Sequence, residues 1–128
     1  MTHPPILFVD DSAVARAATT RLLDDRGVAV TVLASSSETA ALDARHFSAA
    51  LLDLELGDGL GTEVAERLRG LAPSLPIAFL TAGATETLLD HARRFGPVFA
   101  KPSGMEDAVR WVVEASRAAG FGRGPGRV

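Results

Sequence analysis

Short apolar runs alternate with amphipathic stretches along this sequence. Ile6 to Asp10, "ILFVD", is an apolar run ending in acid, the pattern of a buried strand. Ser12 can cap a helix over about 13–26, with Val14, Ala17, Ala18 and Leu22 on one face and Gly27 as its stop. The β-branched run 28–33 predicts a second strand. Ser35 and Glu38 have capping-box spacing and predict a short helix to about Arg45. "SAALLD", 48–53, predicts a third strand, and a helix over about 62–69, ended by Gly70, follows a glycine-rich loop. A fourth strand is expected at 76–80, a helix at about 84–94 ended by Gly96, and a fifth strand at 97–100. A second capping-box pair, Ser103 and Glu106, opens a last helix to about Ala119.

This is a β-α unit repeated five times, which predicts an α/β fold with a parallel sheet and helices on both faces. The strands are apolar throughout, as strands buried on both faces are. Residues 1–119 are expected to form one domain. The tail 120–128, "GFGRGPGRV", has four glycines and a proline and is expected to be flexible, with no second domain after it.

Composition narrows the class. The chain has 128 residues and is 47% hydrophobic, enough to bury a core. Its net charge of -3 argues against a nucleic-acid-coating surface, so no direct nucleic-acid contact is expected. It contains no cysteine, which excludes disulfides and thiolate chemistry. The start, "MTHPPILFVDD", is too short and too quickly acidic for a signal peptide. No apolar run approaches the roughly 20 residues of a membrane helix. The expectation is a cytoplasmic protein without a membrane partner.

In open parallel sheets, ligands bind beyond the carboxyl ends of the strands. Here strand one ends in Asp10 and Asp11, strand three in Asp53, strand four in Thr81, and strand five in Lys101 and Pro102. Strand two ends in Ala34. If these ends converge, three carboxylates and one ammonium leave an excess of two negative charges. A divalent cation would cancel it, and oxygen donors of this kind suit Mg²⁺. The cation would offset repulsion between an attacking carboxylate and a phosphoryl group. Lys101 would hold a phosphoryl oxygen, Thr81 would donate a hydrogen bond to another, and Asp53, on a central strand, would be the nucleophile. Blander readings stand beside these. Asp10 or Asp11 could cap a helix, Asp53 could start a turn, and Thr81 could be a plain cap.

"FVDDS", "LLDLELGDGLG", "FLTAG" and "FAKPS" resemble the receiver domain of two-component response regulators, over residues 5–119. The resemblance implies a flavodoxin-like, doubly wound (βα)5 sheet of strand order 2-1-3-4-5. It implies that Asp53 accepts phosphate from a histidine kinase or a histidine phosphotransfer protein. It implies Mg²⁺ held by Asp11, Asp53 and the carbonyl of Glu55, with Asp10 acting through water. Thr81 and Lys101 match the family's phosphate-contacting pair, Ala82 its small residue beside the acceptor, and Lys101–Pro102 its cis bond. The expected role is a signalling module rather than an enzyme, acting on a downstream protein target.

Three positions depart from the family pattern. Val98 stands where an aromatic switch residue is common, and Phe99 next to it should face the other way. Gly57 stands where proline is common, and is expected to loosen the loop and weaken Mg²⁺ binding. The segment from Thr81 to Lys101 is slightly short, so its helix is expected to be short or tilted. A weak homodimer stays open, but the family's dimer geometry does not carry over. Val98 motivates an alternative, a phosphorylation-independent adaptor. An aspartyl-phosphate hydrolase is weakly suggested by Asp53-Leu-Glu55, and a flavin site less still. His3, His46 and His91 carry no metal signature, and Trp111 is expected at the core or its edge, beside Met105, Ala108, Val109 and Val112.

Overall fold

The computed structural model describes residues 3–122, with side chains to residue 118. The elements in chain order are β1 (Ile6–Val9), α1 (Ala13–Asp25), β2 (Val30–Leu33), β3 (Ala49–Asp53), β4 (Glu55–Leu56), β5 (Gly59–Leu60), α2 (Gly61–Leu71), β6 (Ile77–Thr81), α3 (Glu86–Arg93), β7 (Val98–Ala100) and α4 (Met105–Gly122). Five strands make one sheet in the order β2-β1-β3-β6-β7, with every pair parallel. Counted within that sheet, this is the order 2-1-3-4-5 of a flavodoxin-like fold. Strands β4 and β5 form a separate antiparallel hairpin directly after Asp53.

Alternation along the strands divides the core in two. Leu7, Val9, Ala50, Leu52, Ile77 and Phe79 pack with Val64, Ala65 and Leu68 of α2 and Ala92 of α3. Ile6, Phe8, Ala49, Leu51, Ala78 and Leu80 pack with Leu23 of α1 and with Met105, Ala108, Val109, Val112 and Val113 of α4. Successive side chains on a strand point to opposite faces, so a sheet covered on both sides needs apolar residues at every position.

Several boundaries differ from expectation. Ser12 does cap α1, its Oγ accepting the Ala15 N–H at 3.2 Å, and Gly27 follows the helix end with φ of 70°. The buried face, however, is Ala15, Thr19 and Leu23; Val14, Ala17 and Ala18 are exposed. The register moved by one residue because α1 packs through Leu23, and a small hydroxyl, Thr19, fits where the sequence pattern points to alanines. The predicted helix over 35–45 is instead two single 3-10 turns, Ser37–Thr39 and Ala44–His46. The Ser35–Glu38 bonds do form, at 2.8 and 3.3 Å. Only Thr39 and Ala44 are buried within the two turns, too thin a stripe to sustain an α-helix. Gly70 lies inside α2 rather than ending it. Helix α4 begins with backbone bonds from Met105 to Pro102 and from Ala108 to Gly104, without a Ser103 side-chain cap. It continues to Gly122, past the expected end at Ala119. Of the tail expected to be flexible, residues 123–128 lie outside the described residues. Helix α3 spans 8 residues, a short helix as expected.

Candidate functional site

Register and alternation set the first three groups of the site. Val9 pairs with Leu52, so Asp10 and Asp53 come next at the same level of adjacent strands. Both continue the face of Phe8 and Leu51, and Lys101 continues that of Phe99. The three side chains meet as this parity requires. Lys101 Nζ lies 2.8 Å from Asp10 Oδ2 and 3.2 Å from Asp53 Oδ2. Asp10 is 0% exposed and Asp53 4%. Among the described residues the Lys101 ammonium is the partner of the buried Asp10 Oδ2. Asp10 Oδ1 accepts the Ser12 N–H at 2.9 Å, so Asp10 also braces the start of α1.

Burial, then the charge of Asp10, raises the Asp53 carboxyl from 3.8 to about 7, against the lowering effect of Lys101. Burial alone would lower Lys101. The bonds and charges of Asp10 and Asp53 outweigh it and leave the ammonium above its ordinary value. The site thus holds more negative charge than one lysine neutralises.

Asp11 is exposed and reaches the same point from the β1–α1 loop. Asp10, Asp11 and Asp53 each offer one carboxylate oxygen, and these oxygens lie within 4.8 Å of one another. Three hard oxygen donors with excess negative charge fit a divalent cation such as Mg²⁺. Glu55 turns its side chain to solvent, outside this trio. Its backbone lies against the acceptor, the Glu55 N–H donating to Asp53 Oδ1 at 3.3 Å. Thr81 follows the parity of Phe79, opposite to that of Asp53. It is 8% exposed, and its Oγ1 accepts the Gly83 N–H at 3.1 Å. Gly83 has φ of 153°, a conformation that glycine permits. The Lys101–Pro102 bond is cis.

Three residues that sequence reasoning passed over also build the site. Gly61 N–H bonds to Leu54 O at 2.8 Å, and a Cβ at Gly61 would lie 2.3 Å from the carbonyl oxygen of Asp53. The hairpin can close on the acceptor strand only because glycine stands there. Arg16 Nη1 donates to Asp10 O at 2.9 Å, tying α1 back to the β1 end. Asp58, in the hairpin turn, accepts the N–H groups of Ser36 and Ser37 at 2.8 and 3.0 Å. The glycine-rich loop that holds Gly61 is visible in the sequence, though its contact with Asp53 is not. The other two contacts had no signal in the sequence.

Gly57 does not simply loosen its loop. It sits in the turn of the β4–β5 hairpin, and its N–H donates to Asp11 Oδ2 at 2.9 Å. Val98 and Phe99 do face opposite cores, as strand alternation requires. Trp111 is half-buried against the α1–α4 core, at its edge. The histidines lie outside the Asp10–Asp11–Asp53 trio: His3 bonds Ser116 Oγ at 3.0 Å, His46 lies 3.8 Å from Asp43, and the His91 ring lies tilted against Phe95. Among the described residues no helix is long and apolar enough to cross a membrane.

Known proteins share this fold and part of the sequence. The chain is 30% identical over 112 residues to the acid tolerance regulatory protein ActR of Sinorhizobium medicae, covering 85% of this chain. The chain spans 58% of the length of that relative. A CheY-like receiver domain protein from Methanospirillum hungatei superposes with a TM-score of 0.80 at 26% identity, over 92% of this chain and 97% of that one. The receiver domain of an HD-domain protein from Pseudomonas fluorescens shares the fold at a TM-score of 0.76 and 21% identity, over 91% and 99% of the two chains. Residues 6–110 match the family model of the response regulator receiver domain, and the chain belongs to that family.

Proposed function

We propose that this chain is a phosphoacceptor in a two-component relay and that Asp53 is the residue phosphorylated. The observation that carries the reading is the placement of Asp53. It is a nearly buried carboxylate at a strand end, 3.2 Å from Lys101 and within the acid trio. The donor is a phosphohistidine on a kinase or phosphotransfer protein. An Asp53 oxygen attacks phosphorus; the O–P bond forms as the P–N bond breaks, and the imidazole nitrogen keeps the electron pair. Lys101 shifts its ammonium from carboxylate to phosphoryl oxygen. Thr81 accepts the Gly83 N–H and so keeps its own hydroxyl proton to donate. Asp10, Asp11, Asp53 and the Glu55 carbonyl would hold Mg²⁺, which offsets the repulsion between nucleophile and phosphoryl oxygens. The phosphorylated domain then signals to a downstream protein.

Intact-mass measurement after incubation with Mg²⁺ and acetyl phosphate tests this. One phosphoryl group is expected on the wild type and none on Asp53→Ala. An unmodified wild type, or a modified Asp53→Ala, overturns it. The aliphatic Val98, packed with the Phe79 cluster, favours a second reading in which partners bind without phosphate. Equal partner affinity for the wild type and Asp53→Ala would select that reading.

A further inference from the structure

We infer that the backbone N–H of Gly57 is a positioning group for the divalent cation, holding the Asp11 carboxylate in the acid trio. The inference rests on the cation site of the phosphoacceptor reading and deepens it. Asp11 is the exposed member of the trio, whereas Asp10 and Asp53 are fixed by burial. Left alone, an exposed aspartate would turn away from two neighbouring carboxylates. Gly57 N–H, 46 positions away in sequence, meets Asp11 Oδ2 at 2.9 Å and opposes that rotation. A hydrogen bond to a carboxylate is stronger than one between neutral groups. The hydrogen bond takes one lone pair of the Asp11 carboxylate and leaves others for the cation.

The donor is itself anchored. Strands β4 and β5 pair Glu55 with Leu60 and Leu56 with Gly59. Asp58 ties the turn to Ser36 and Ser37, and Leu60 N–H bonds Glu63 Oε1 at 2.9 Å. Residue identity at 57 matters in two ways. Proline has no N–H to donate. A Cβ at Gly57 would lie 3.3 Å from Asp11 Oδ2, close enough to press on the carboxylate. This reverses the expectation that glycine here weakens Mg²⁺ binding.

Gly57→Pro is the direct test. Gly57 does not have positive φ, and Leu56 before it is in a strand, the conformation that a residue preceding proline prefers. By calorimetric titration, Gly57→Pro should bind Mg²⁺ roughly tenfold more weakly than the wild type, the scale for losing a partner of a metal ligand. Gly57→Ala keeps the N–H and should lose less. In EDTA the wild-type Gly57 amide should be protected from hydrogen exchange, and Asp11→Ala should remove that protection. A merely structural role would lower the melting midpoint of Gly57→Pro and leave its Mg²⁺ affinity intact. Unchanged affinity in Gly57→Pro, with the wild type binding normally, overturns this inference alone. No Mg²⁺ binding by the wild type overturns it together with the cation part of the phosphoacceptor reading. Free exchange of the Gly57 amide overturns it even if the proline variant does not fold.

Discussion

The two sides of the acidic pocket are built by different physics. On one side, Asp10 and Asp53 extend from buried strands and Lys101 from the half-buried edge strand β7, and the three meet because sheet register and side-chain parity direct them together. On the other side, Asp11 and Asp58 are exposed, and backbone N–H groups of Gly57, Ser36 and Ser37 hold them. The first side is a packing result and the second a hydrogen-bonding result. Charge follows the same division. The Asp53 carboxyl is driven up by burial, whereas the bonds from Ser36 and Ser37 hold the Asp58 carboxyl below its ordinary value.

The joint between the sides is Gly61, and breaking it should have the largest effect. A Cβ there would sit 2.3 Å from Asp53 O, a backbone atom that cannot step aside. Gly61→Ala should cost roughly 3 kcal/mol, the upper range for forcing extra atoms into a packed site. It should also displace Asp53 from Lys101. Denaturant melts measure the first effect and the acetyl phosphate reaction the second. A variant of wild-type stability and reactivity would show that the two sides are not joined there.

The same division explains what the sequence disclosed. The packed side was legible, because apolar strands predict their own burial and acids at their ends predict convergence. Asp10, Asp53 and Lys101 needed only period-two alternation and the order of the strands. The hydrogen-bonded side was not, because every residue but proline carries a backbone N–H. The bond from Gly57 to Asp11 therefore has no signature in residue type. The segment 35–45 misled for a related reason. Its Ser35–Glu38 bonds were real, but they brace a single 3-10 turn, and the turn is tied down by Asp58 and by Arg67, which bonds Thr39. The face of α1 was misplaced by one residue because its alanines carry little hydrophobic contrast.

Lys101→Met sharpens the comparison from the packed side. The variant leaves Asp10 and Asp53 buried without their cation. Without divalent ions it should lose about 3 kcal/mol near neutral pH, the scale for breaking a buried pair. The loss should shrink in acid as Asp53 takes up a proton, and again when Mg²⁺ is added. Equal losses at pH 5 and pH 8 would mean that the lysine acts through its alkyl chain and not its charge.

The pH dependence of Asp53 should be weaker but distinctive. Its folded value of about 7 lies above the ordinary 3.8, so the folded state favours the protonated form. The stability this group contributes is present below the ordinary value and is lost as pH rises through about 7. In EDTA, Asp53→Asn should flatten that fall, gaining most over the wild type above pH 7 and least near pH 4. Thermal melts across this window measure it. Parallel profiles for the two proteins would show that Asp53 is not held at a raised value.

Asp58→Ala should give the smallest effect, and it isolates the hydrogen-bonded side. The variant frees the Ser36 and Ser37 N–H groups; Ser37 is exposed, so water can replace the carboxylate there, whereas Ser36 is largely buried. Their amides should lose exchange protection while those of β1 and β3 keep theirs. The Asp53–Lys101 contact owes nothing to Asp58, so the reaction rate with acetyl phosphate at saturating Mg²⁺ should be unchanged. The Mg²⁺ concentration needed to reach it should rise modestly, because the hairpin carrying Gly57 has lost an anchor. If the rate at saturation fell as well, the hairpin would be shaping the buried side, and the division between packing and hydrogen bonding would fail at Asp53 itself.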